Sequence, residues 1–229
     1  MARRPAHDSV TKPIDPALPD RDKIIAALLA LLAEKRFEEI GFNEIVGRSG
    51  VSLATIRSEF GSKSAILAAH AKNLDRKVLA EPTPDMADEE PRERLFDVLM
   101  RRLEAMAGER AAIRSLLRSA MVDPPLALAL NSIAVRSQQW MLAAAGIDAA
   151  GPGGMVRAQG LALLFARVLR TFVDDEDDNA RTMAALDREL DRGGRLLRMY
   201  SGLCRLTPFG RARARRHARE DGDDEMVTA

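Results

Sequence analysis

The sequence has few of the residues that build disulfide frameworks, aromatic cores or membrane spans. Cys204 is the one cysteine among 229 residues, which excludes an internal disulfide and indicates a reducing compartment. Aromatic residues make up only 4% of the chain. No apolar run approaches the roughly 18 residues of a membrane span, and the N-terminus has no signal-peptide core. These absences predict a soluble, cytoplasmic protein.

The chain also lacks a strong net charge and any recognisable catalytic motif. Its 35 Lys/Arg and 34 Asp/Glu give a net charge of +1, so any nucleic-acid contact must come from local placement of basic residues. There is no nucleophile elbow, phosphate-binding loop or dinucleotide fingerprint. The histidines, His7, His70 and His217, lie far apart and do not form a zinc set with one cysteine. We therefore expect no enzyme activity, metal site or cofactor.

What the chain does contain favours helices. Hydrophobic residues make up 46% and charged residues 30%, which suits a globular protein with a sizeable core. Ala, Leu, Arg and Glu are abundant, and these are the best helix formers. The sequence predicts an all-α fold.

The stretch from Phe42 to Phe60 has the pattern of a short helix, a tight turn and a second short helix. Gly50 stands where a reversing chain often needs a positive φ, and the Ser52 hydroxyl can accept a backbone N–H at the start of the second helix. The expected core residues of the stretch are Ile45, Val46, Val51, Ile56 and Phe60. The pattern predicts a helix-turn-helix, whose second helix lies in the DNA major groove.

Periodic apolar residues predict further helices on both sides of this stretch. Asp20 is the expected N-cap of a first helix that runs to about Lys35, and Pro91 suits the first turn of a later helix. We expect a loop at residues 150–154 and a solvated acidic turn at residues 174–178.

The last predicted helix is expected to be interrupted or bent near Gly193 and Gly194. The strongly apolar helix from Met155 to Val173 is expected to be central or to lie at a dimer interface.

The helix-turn-helix lies within a longer set of residues in register. An amphipathic first helix is followed by Glu34-Lys35-Arg36-Phe37, by Ile45 and Gly50-Val51-Ser52, by Thr55-Ile56, and by Phe60-Gly61-Ser62-Lys63 with Leu67. This arrangement, from Ile24 to Leu67, resembles the TetR family of transcriptional repressors. The resemblance implies a three-helix DNA-binding head, a linker helix, and a larger helical body that binds a small molecule and forms a homodimer.

The resemblance also implies a set of DNA-binding residues. Lys63 matches a phosphate-contacting lysine at the start of the fourth helix, and Arg57 matches a position usually held by a phosphate-binding tyrosine. Gly41 can offer only its backbone N–H. The complete predicted set is Ser52, Leu53, Ala54, Thr55, Arg57, Lys63, Gly41 and Arg48.

Three features depart from the family pattern. Arg36 replaces a glycine that usually precedes Phe37, and Ile40-Gly41 replaces the pair of hydroxyl residues that caps the second helix and touches phosphate. Glu59 would repel phosphate if it faced the DNA. Residues 1–79 contain 13 Lys/Arg and 10 Asp/Glu, a modest surplus for a DNA-binding head.

The expected organisation follows from the resemblance and from composition. The units are a flexible arm at residues 1–19, a DNA-binding domain at 20–65, a ligand-binding and dimerisation domain at 66–204, and a basic-then-acidic flexible tail at 205–229. The partners implied are double-stranded DNA with a near-palindromic operator and an apolar or amphipathic effector. Candidate effector-binding residues, each of which could instead be ordinary core, are Met100, Met106, Met121, Trp140 and Phe165.

A second resemblance leaves an alternative open. Phe172-Val173-Asp174-Asp175 and the segment from Thr182 to Arg188 look similar to proteins related to the ubiquinone-biosynthesis accessory family. Those proteins have a TetR-like fold but bind lipid and an enzyme partner instead of DNA. The alternative is therefore a lipid-binding accessory protein that no longer binds DNA.

Overall fold

This computed structural model describes residues 14–80, 88–175 and 179–206, and the elements in these ranges are helices joined by short loops. No strand occurs in those ranges, so the all-α prediction is confirmed. Most of the predicted N-terminal arm and most of the predicted tail lie outside the described residues. The helices are α1 (Asp20–Glu34), α2 (Phe42–Ser49), α3 (Leu53–Glu59), α4 (Lys63–Ala80), α5 (Pro91–Ala105), α6 (Arg110–Ala120), α7 (Pro124–Ala144), α8 (Gly151–Phe172) and α9 (Ala180–Leu206).

Helices α1 to α3 pack around a small core that α1 dominates. Its apolar residues recur at helical spacing, so one broad face of the helix is buried. A single 3-10 turn, Phe37–Glu39, connects α1 to α2 and buries the Phe37 ring. The predicted core residues of the helix-turn-helix are buried except Val46, which is half-buried. This core contains Ile24, Leu28, Leu32, Ile45, Val51, Ile56 and Phe60.

Helix α4 belongs to two cores. Its first half contributes Ile66 and Leu67 to the core around α1. Its second half contributes Leu74 and Val78 to the core of the C-terminal helices. A single rigid helix therefore connects the two parts of the molecule, as a linker helix would.

The C-terminal body is built around α8. Helix α8 packs against α7 on one side and α9 on the other, and it buries Phe165, Val168 and Phe172. This confirms that the apolar helix is central. Its outward face leaves Val156 and Leu163 exposed.

The start of α8 corrects the sequence-based prediction. Residues 151–154 were expected to lie in a loop, but they form the first turn of the helix, and the Gly154 N–H donates to the Ala150 carbonyl at 3.1 Å. Pro152 is tolerated there because the first turn leaves its backbone N–H groups without helical partners. Gly154 is required because a Cβ would lie 2.1 Å from the Ala149 carbonyl carbon.

Helix α9 corrects a second prediction. The helix continues through Gly193 and Gly194 without the expected interruption. A Cβ on Gly193 would lie 3.3 Å from a terminal methyl of Leu164 on α8. The glycine there allows a close approach between two packed helices and does not break the helix.

The acidic segment before α9 is only partly solvated, which corrects a third prediction. Asp174 is exposed, but Asp175 is buried and accepts hydrogen bonds from the backbone N–H (2.8 Å) and hydroxyl (2.7 Å) of Thr182. These bonds, the hydroxyl bond first, lower the pKa of the Asp175 carboxyl. Asp175 therefore satisfies an amide in the first turn of α9. Residues 176–178 lie outside the described residues.

Proline stands at the start of α1 and of α7, and the start of α1 differs slightly from expectation. Asp20 is the first residue of α1, and Pro19 occupies the N-cap position without a side-chain cap. Helix α7 begins at Pro124, since the Asp123 carboxylate accepts from the Leu126 N–H at 2.9 Å and caps the helix. Both starts follow from the preference of proline for the boundary of a helix.

Candidate nucleic-acid interface

The turn between α2 and α3 has the geometry that the sequence predicts. Gly50 has a φ of 70°, and its N–H donates to the Val46 carbonyl at 2.9 Å. The N–H of Val51 donates to the Ser49 hydroxyl at 3.2 Å. A residue with a Cβ would be strained at Gly50, so the glycine fixes the crossing of the two helices.

Ser52 caps the second helix. Its hydroxyl accepts from the Thr55 N–H at 3.1 Å and lies 2.9 Å from the Thr55 hydroxyl. Ser52 is exposed and Thr55 is half-buried. The cap fixes the N-terminal turn of α3, the part of a recognition helix that contacts base edges.

Helix α3 presents an open face to solvent. Ile56 is buried, whereas Leu53 is 51% exposed and Ala54 and Arg57 are exposed. The structure therefore brings together the predicted groove-facing residues on one surface, with Arg57 about one turn further along. An apolar side chain such as Leu53 suits contact with a thymine methyl group.

Most basic residues of the head already have partners within the protein. Among the described residues of 20–65, Arg57 is the one Lys or Arg that makes no ion pair and no hydrogen bond to a carbonyl. The ion-paired residues are Arg21, Lys23, Lys35, Arg36 and Arg48, and Lys63 binds two backbone carbonyls. The guanidinium of Arg57 is thus the cation of the helix-turn-helix that is free to meet a phosphate.

Arg48, a predicted DNA-binding residue, is held by α1. Its two terminal nitrogens donate to the two carboxylate oxygens of Glu34, each at 2.8 Å. The hydrogen bond to Glu34 raises the pKa of Arg48. A phosphate would have to share or displace this bidentate contact.

Lys63 is the most internally engaged of the predicted residues. Its ammonium donates to the carbonyls of Phe37 (2.8 Å) and Ile40 (2.6 Å) and lies 4.4 Å from the centre of the Phe37 ring. Partial burial lowers the pKa of Lys63. The ammonium has three donors, so one donor remains after these two bonds. In this structure Lys63 joins the start of α4 to the segment between α1 and α2.

The backbone N–H of Gly41, another predicted contact, is also occupied. It donates to the Glu44 carboxylate at 2.8 Å, which closes a capping interaction at the start of α2. The Lys35 ammonium pairs with the same carboxylate. The bond from Lys35, and then the bond from Gly41, lower the pKa of Glu44. A carboxylate thus takes the position at the helix N-terminus that a phosphate would otherwise favour.

Glu59, which departs from the family pattern, is neutralised locally. Its carboxylate lies 3.0 Å from the Arg21 guanidinium, and this guanidinium also stacks 4.6 Å from the centre of the Phe60 ring. The pair reduces the repulsion that Glu59 alone would exert on a phosphate.

Phe42, the first residue of α2, is not among the residues predicted to contact DNA. The residue is 39% exposed. No sequence signal separates it from a core aromatic residue, because its spacing from Ile45 and Ser49 is that of a buried face.

The five candidate effector-binding residues do not share one environment. Met100, Met106 and Phe165 are buried in the body core, whereas Met121 is 77% and Trp140 is 60% exposed. The last two were predicted as pocket residues, and the structure places them on the surface.

The body contains a buried polar cluster that the sequence did not reveal. Asp75 of α4 pairs with Arg102 of α5 and accepts from the Ser137 hydroxyl of α7 at 2.7 Å. The Nε of Arg102 and the Oε1 of the neighbouring Gln138 have no hydrogen-bond partner. The cluster joins the linker helix to the body among otherwise apolar residues.

Solved structures of known proteins share this architecture. A TetR transcriptional regulator from Nitrosomonas europaea aligns with a TM-score of 0.58 and 24% identity, over 77% of this chain and 99% of that chain. A TetR transcriptional regulator from Rhodococcus aligns with a TM-score of 0.54 and 20% identity, over 76% of this chain and 95% of that chain. The fold is TetR-like. No protein-family model and no curated protein matches the sequence.

The helices can be grouped as in other TetR-like folds. Helices α1 to α3 are the head, α4 is the linker, and α5 to α9 are the body. Within the described ranges no helix is long and apolar enough to cross a bilayer, and no cluster of metal-ligating side chains is present.

Proposed function

We propose that this protein is a DNA-binding transcriptional regulator of the TetR type, with α3 as the recognition helix. The observation that carries the proposal is the open face of α3, where Leu53, Ala54 and Arg57 are exposed on a helix fixed by the Ser52 cap. Gly41, Arg48 and Lys63 contribute by positioning the head, and each keeps at most part of its hydrogen-bonding capacity for phosphate. The protein acts in the cytoplasm, where its operator is accessible.

The regulator acts as a homodimer on a near-palindromic operator. The exposed apolar side chains of Val156 and Leu163 on α8 support a contact between two copies through this helix. The two heads then meet successive major grooves about 34–36 Å apart.

An apolar or amphipathic effector releases the protein from its operator, or alters its binding there, by acting through α4. The buried Asp75–Arg102 pair supports this proposal, because it joins the linker helix to the body where two polar atoms lack partners. A ligand that binds one arrangement of these helices more tightly shifts the head separation.

The test of DNA binding uses Arg57→Ala. We expect the variant to weaken binding to a labelled random-sequence duplex and to reduce the slope of log affinity against log salt by about 1. Fluorescence anisotropy over a salt series measures both quantities.

The matched control is Arg136→Ala, which removes the same charge from an exposed position on α7. The control should bind DNA like the unmodified protein. Absence of duplex binding by the unmodified protein at low salt, or equal losses in both variants, would contradict the proposal.

The second candidate is a lipid-binding accessory protein with a TetR-like fold and no DNA role. Six of the seven Lys and Arg residues within 20–65 already have partners inside the protein, and the Gly41 N–H is already bound to Glu44, which favours this alternative. It predicts a quinone or phospholipid that co-purifies with the chain and no affinity for DNA. Native mass spectrometry of the purified protein detects such a lipid.

A further inference from the structure

The buried polar cluster of the body lies where four helices meet. Asp75 comes from α4 and Arg102 from α5, and two consecutive residues, Ser137 and Gln138, come from α7. The Arg102 guanidinium lies 5.8 Å from the centre of the Phe165 ring on α8. Each of these residues is 7% exposed or less. Polar groups buried to this extent need hydrogen-bond partners inside the core.

Two polar atoms of the cluster have no such partner. The Asp75 Oδ1 atom accepts from Arg102 Nη1 and from the Ser137 hydroxyl, the latter at 2.7 Å. The Arg102 Nε–H and the Oε1 atom of Gln138 have no partner among the described residues. Arg102 and Ser137 meet on one oxygen and Gln138 follows Ser137, so the unpartnered atoms lie at one level of the core. One is a donor and the other an acceptor, which matches a group that both accepts and donates.

Two methionines make the surrounding core adaptable. Met106 lies one turn after Arg102 on α5, and Met141 lies three residues after Gln138 on α7, so each shares a helix face with its polar neighbour. Both methionines are buried, with 6% and 0% exposure. An unbranched thioether side chain adapts readily to its surroundings, so these two can make room for a guest molecule between the helices.

We propose that this cluster recognises the effector through one uncharged hydroxyl group. The proposal rests on the effector response proposed for this chain, and it names the chemical class of the effector: an alcohol or a phenol on an apolar body. The hydroxyl oxygen accepts from the Arg102 Nε–H, and the hydroxyl proton is donated to the Gln138 Oε1 atom. The apolar part of the molecule packs against Phe165 and the two methionines.

The same atoms discriminate against other polar groups. A carboxylate has no proton to donate to Gln138, and its charge would stay uncompensated in the core because Asp75 already neutralises Arg102. An ether accepts from Arg102 but leaves the Gln138 acceptor unpaired. Among molecules with one apolar body, the expected order of affinity is therefore hydroxyl, then ether, then carboxylate.

Equilibrium dialysis of the full-length protein with three naphthalene probes tests this order. 2-Naphthol, 2-methoxynaphthalene and 2-naphthoate share one ring system, and each is measured by its own fluorescence. We expect 2-naphthol to bind about fivefold more tightly than the ether, the effect of one hydrogen bond to a buried atom. 2-Naphthoate should bind more than about tenfold more weakly than 2-naphthol. This comparison uses the unmodified protein and does not depend on the folding of a variant.

Gln138→Met assigns the preference to one contact. The substitution keeps a side chain of similar length and removes the acceptor, so 2-naphthol should bind about as weakly as the ether, whose affinity should change less than about twofold. The control is Gln139→Met, at the next and half-buried position of α7, which should keep the preference for 2-naphthol. Circular dichroism confirms that both variants remain folded.

Several outcomes would overturn the proposal. They are equal affinities for 2-naphthol and its methyl ether, tighter binding of 2-naphthoate, no binding of any probe, and a preference for 2-naphthol that survives Gln138→Met. The dialysis contains no DNA, so these outcomes are separate from the Arg57→Ala experiment. If 2-naphthol binds with the expected preferences but leaves the affinity for a DNA duplex unchanged, the site stands and the proposed effector response fails.

Discussion

Lys63 carries a charge that the fold itself uses. Its ammonium binds the carbonyls of Phe37 and Ile40, which lie in the segment between α1 and α2. The lysine lies at the N-terminus of α4, where its own helix does not favour a positive charge. The carbonyls and the Phe37 ring offset that cost.

Replacing Lys63 with Met therefore tests a structural role. We expect Lys63→Met to lower the free energy of unfolding by about 2 kcal/mol, because it removes two charge-assisted hydrogen bonds. Denaturant unfolding followed by circular dichroism measures the change.

The matched control is Lys72→Met, at an exposed position on the same helix. It should change stability by less than about 0.5 kcal/mol. Equal midpoints for the two variants would show that the contacts of Lys63 contribute nothing to the head.

At the level of a single element, the start of α8 depends on Gly154 and not on the other glycines near it. A Cβ at Gly154 would lie 2.1 Å from the backbone of Ala149, whereas a Cβ at Gly153 would meet nothing within 4 Å. The chain can turn into the helix only if Ala149 and Gly154 approach closely. Glycine-rich composition suggested a loop, but close packing of backbone against backbone is the reason for this glycine.

The pair of glycines gives a matched prediction. Gly154→Ala should destabilise the protein by about 1–3 kcal/mol, because overpacking must shift the backbone before α8. Gly153→Ala should be neutral or stabilise by up to about 1 kcal/mol, since alanine favours a helix over glycine. Thermal unfolding of both variants measures the difference, and the reverse order would be incompatible with this account of the turn.

At the level of the whole molecule, the head and the body share a buried seam along α6. The Ser119 hydroxyl accepts from the Phe37 N–H at 3.1 Å, and the Ser115 hydroxyl donates to the Lys35 carbonyl at 2.7 Å. Ala112 of α6 and Leu126 of α7 complete the core around α1. The head is therefore packed on the body and not only linked to it by α4.

This seam predicts one cooperative unfolding transition for the head and the body. Ser119→Ala leaves the Phe37 N–H buried and unpaired, so we expect it to lower stability by about 1–3 kcal/mol without changing the denaturant slope. Ser132→Ala is the control, because that exposed hydroxyl bonds only within its own helix. Two separated transitions in the unmodified protein, or equal losses in the two variants, would rule out the seam as a structural unit.

Helical periodicity and turn chemistry were local enough to be predicted from the sequence. The positive φ of Gly50, the Ser52 cap and the buried positions of α3 depend on neighbouring residues, so their pattern is visible in the chain. The all-α fold class could be predicted for the same reason. Gly193 and Gly154 were misjudged because their role depends on segments that pack against them, and composition does not show which segments these are.

The tertiary structure alone decided which charges remain available. The sequence determined a helix-turn-helix with several basic residues, but it could not show that Lys63 binds carbonyls or that Arg48 pairs with Glu34. It could not show that Asp75 pairs with Arg102, because these residues are separated in the chain and meet only when α5 packs on α4. The free energy of a charge depends on its partners in space, and those partners come from the fold.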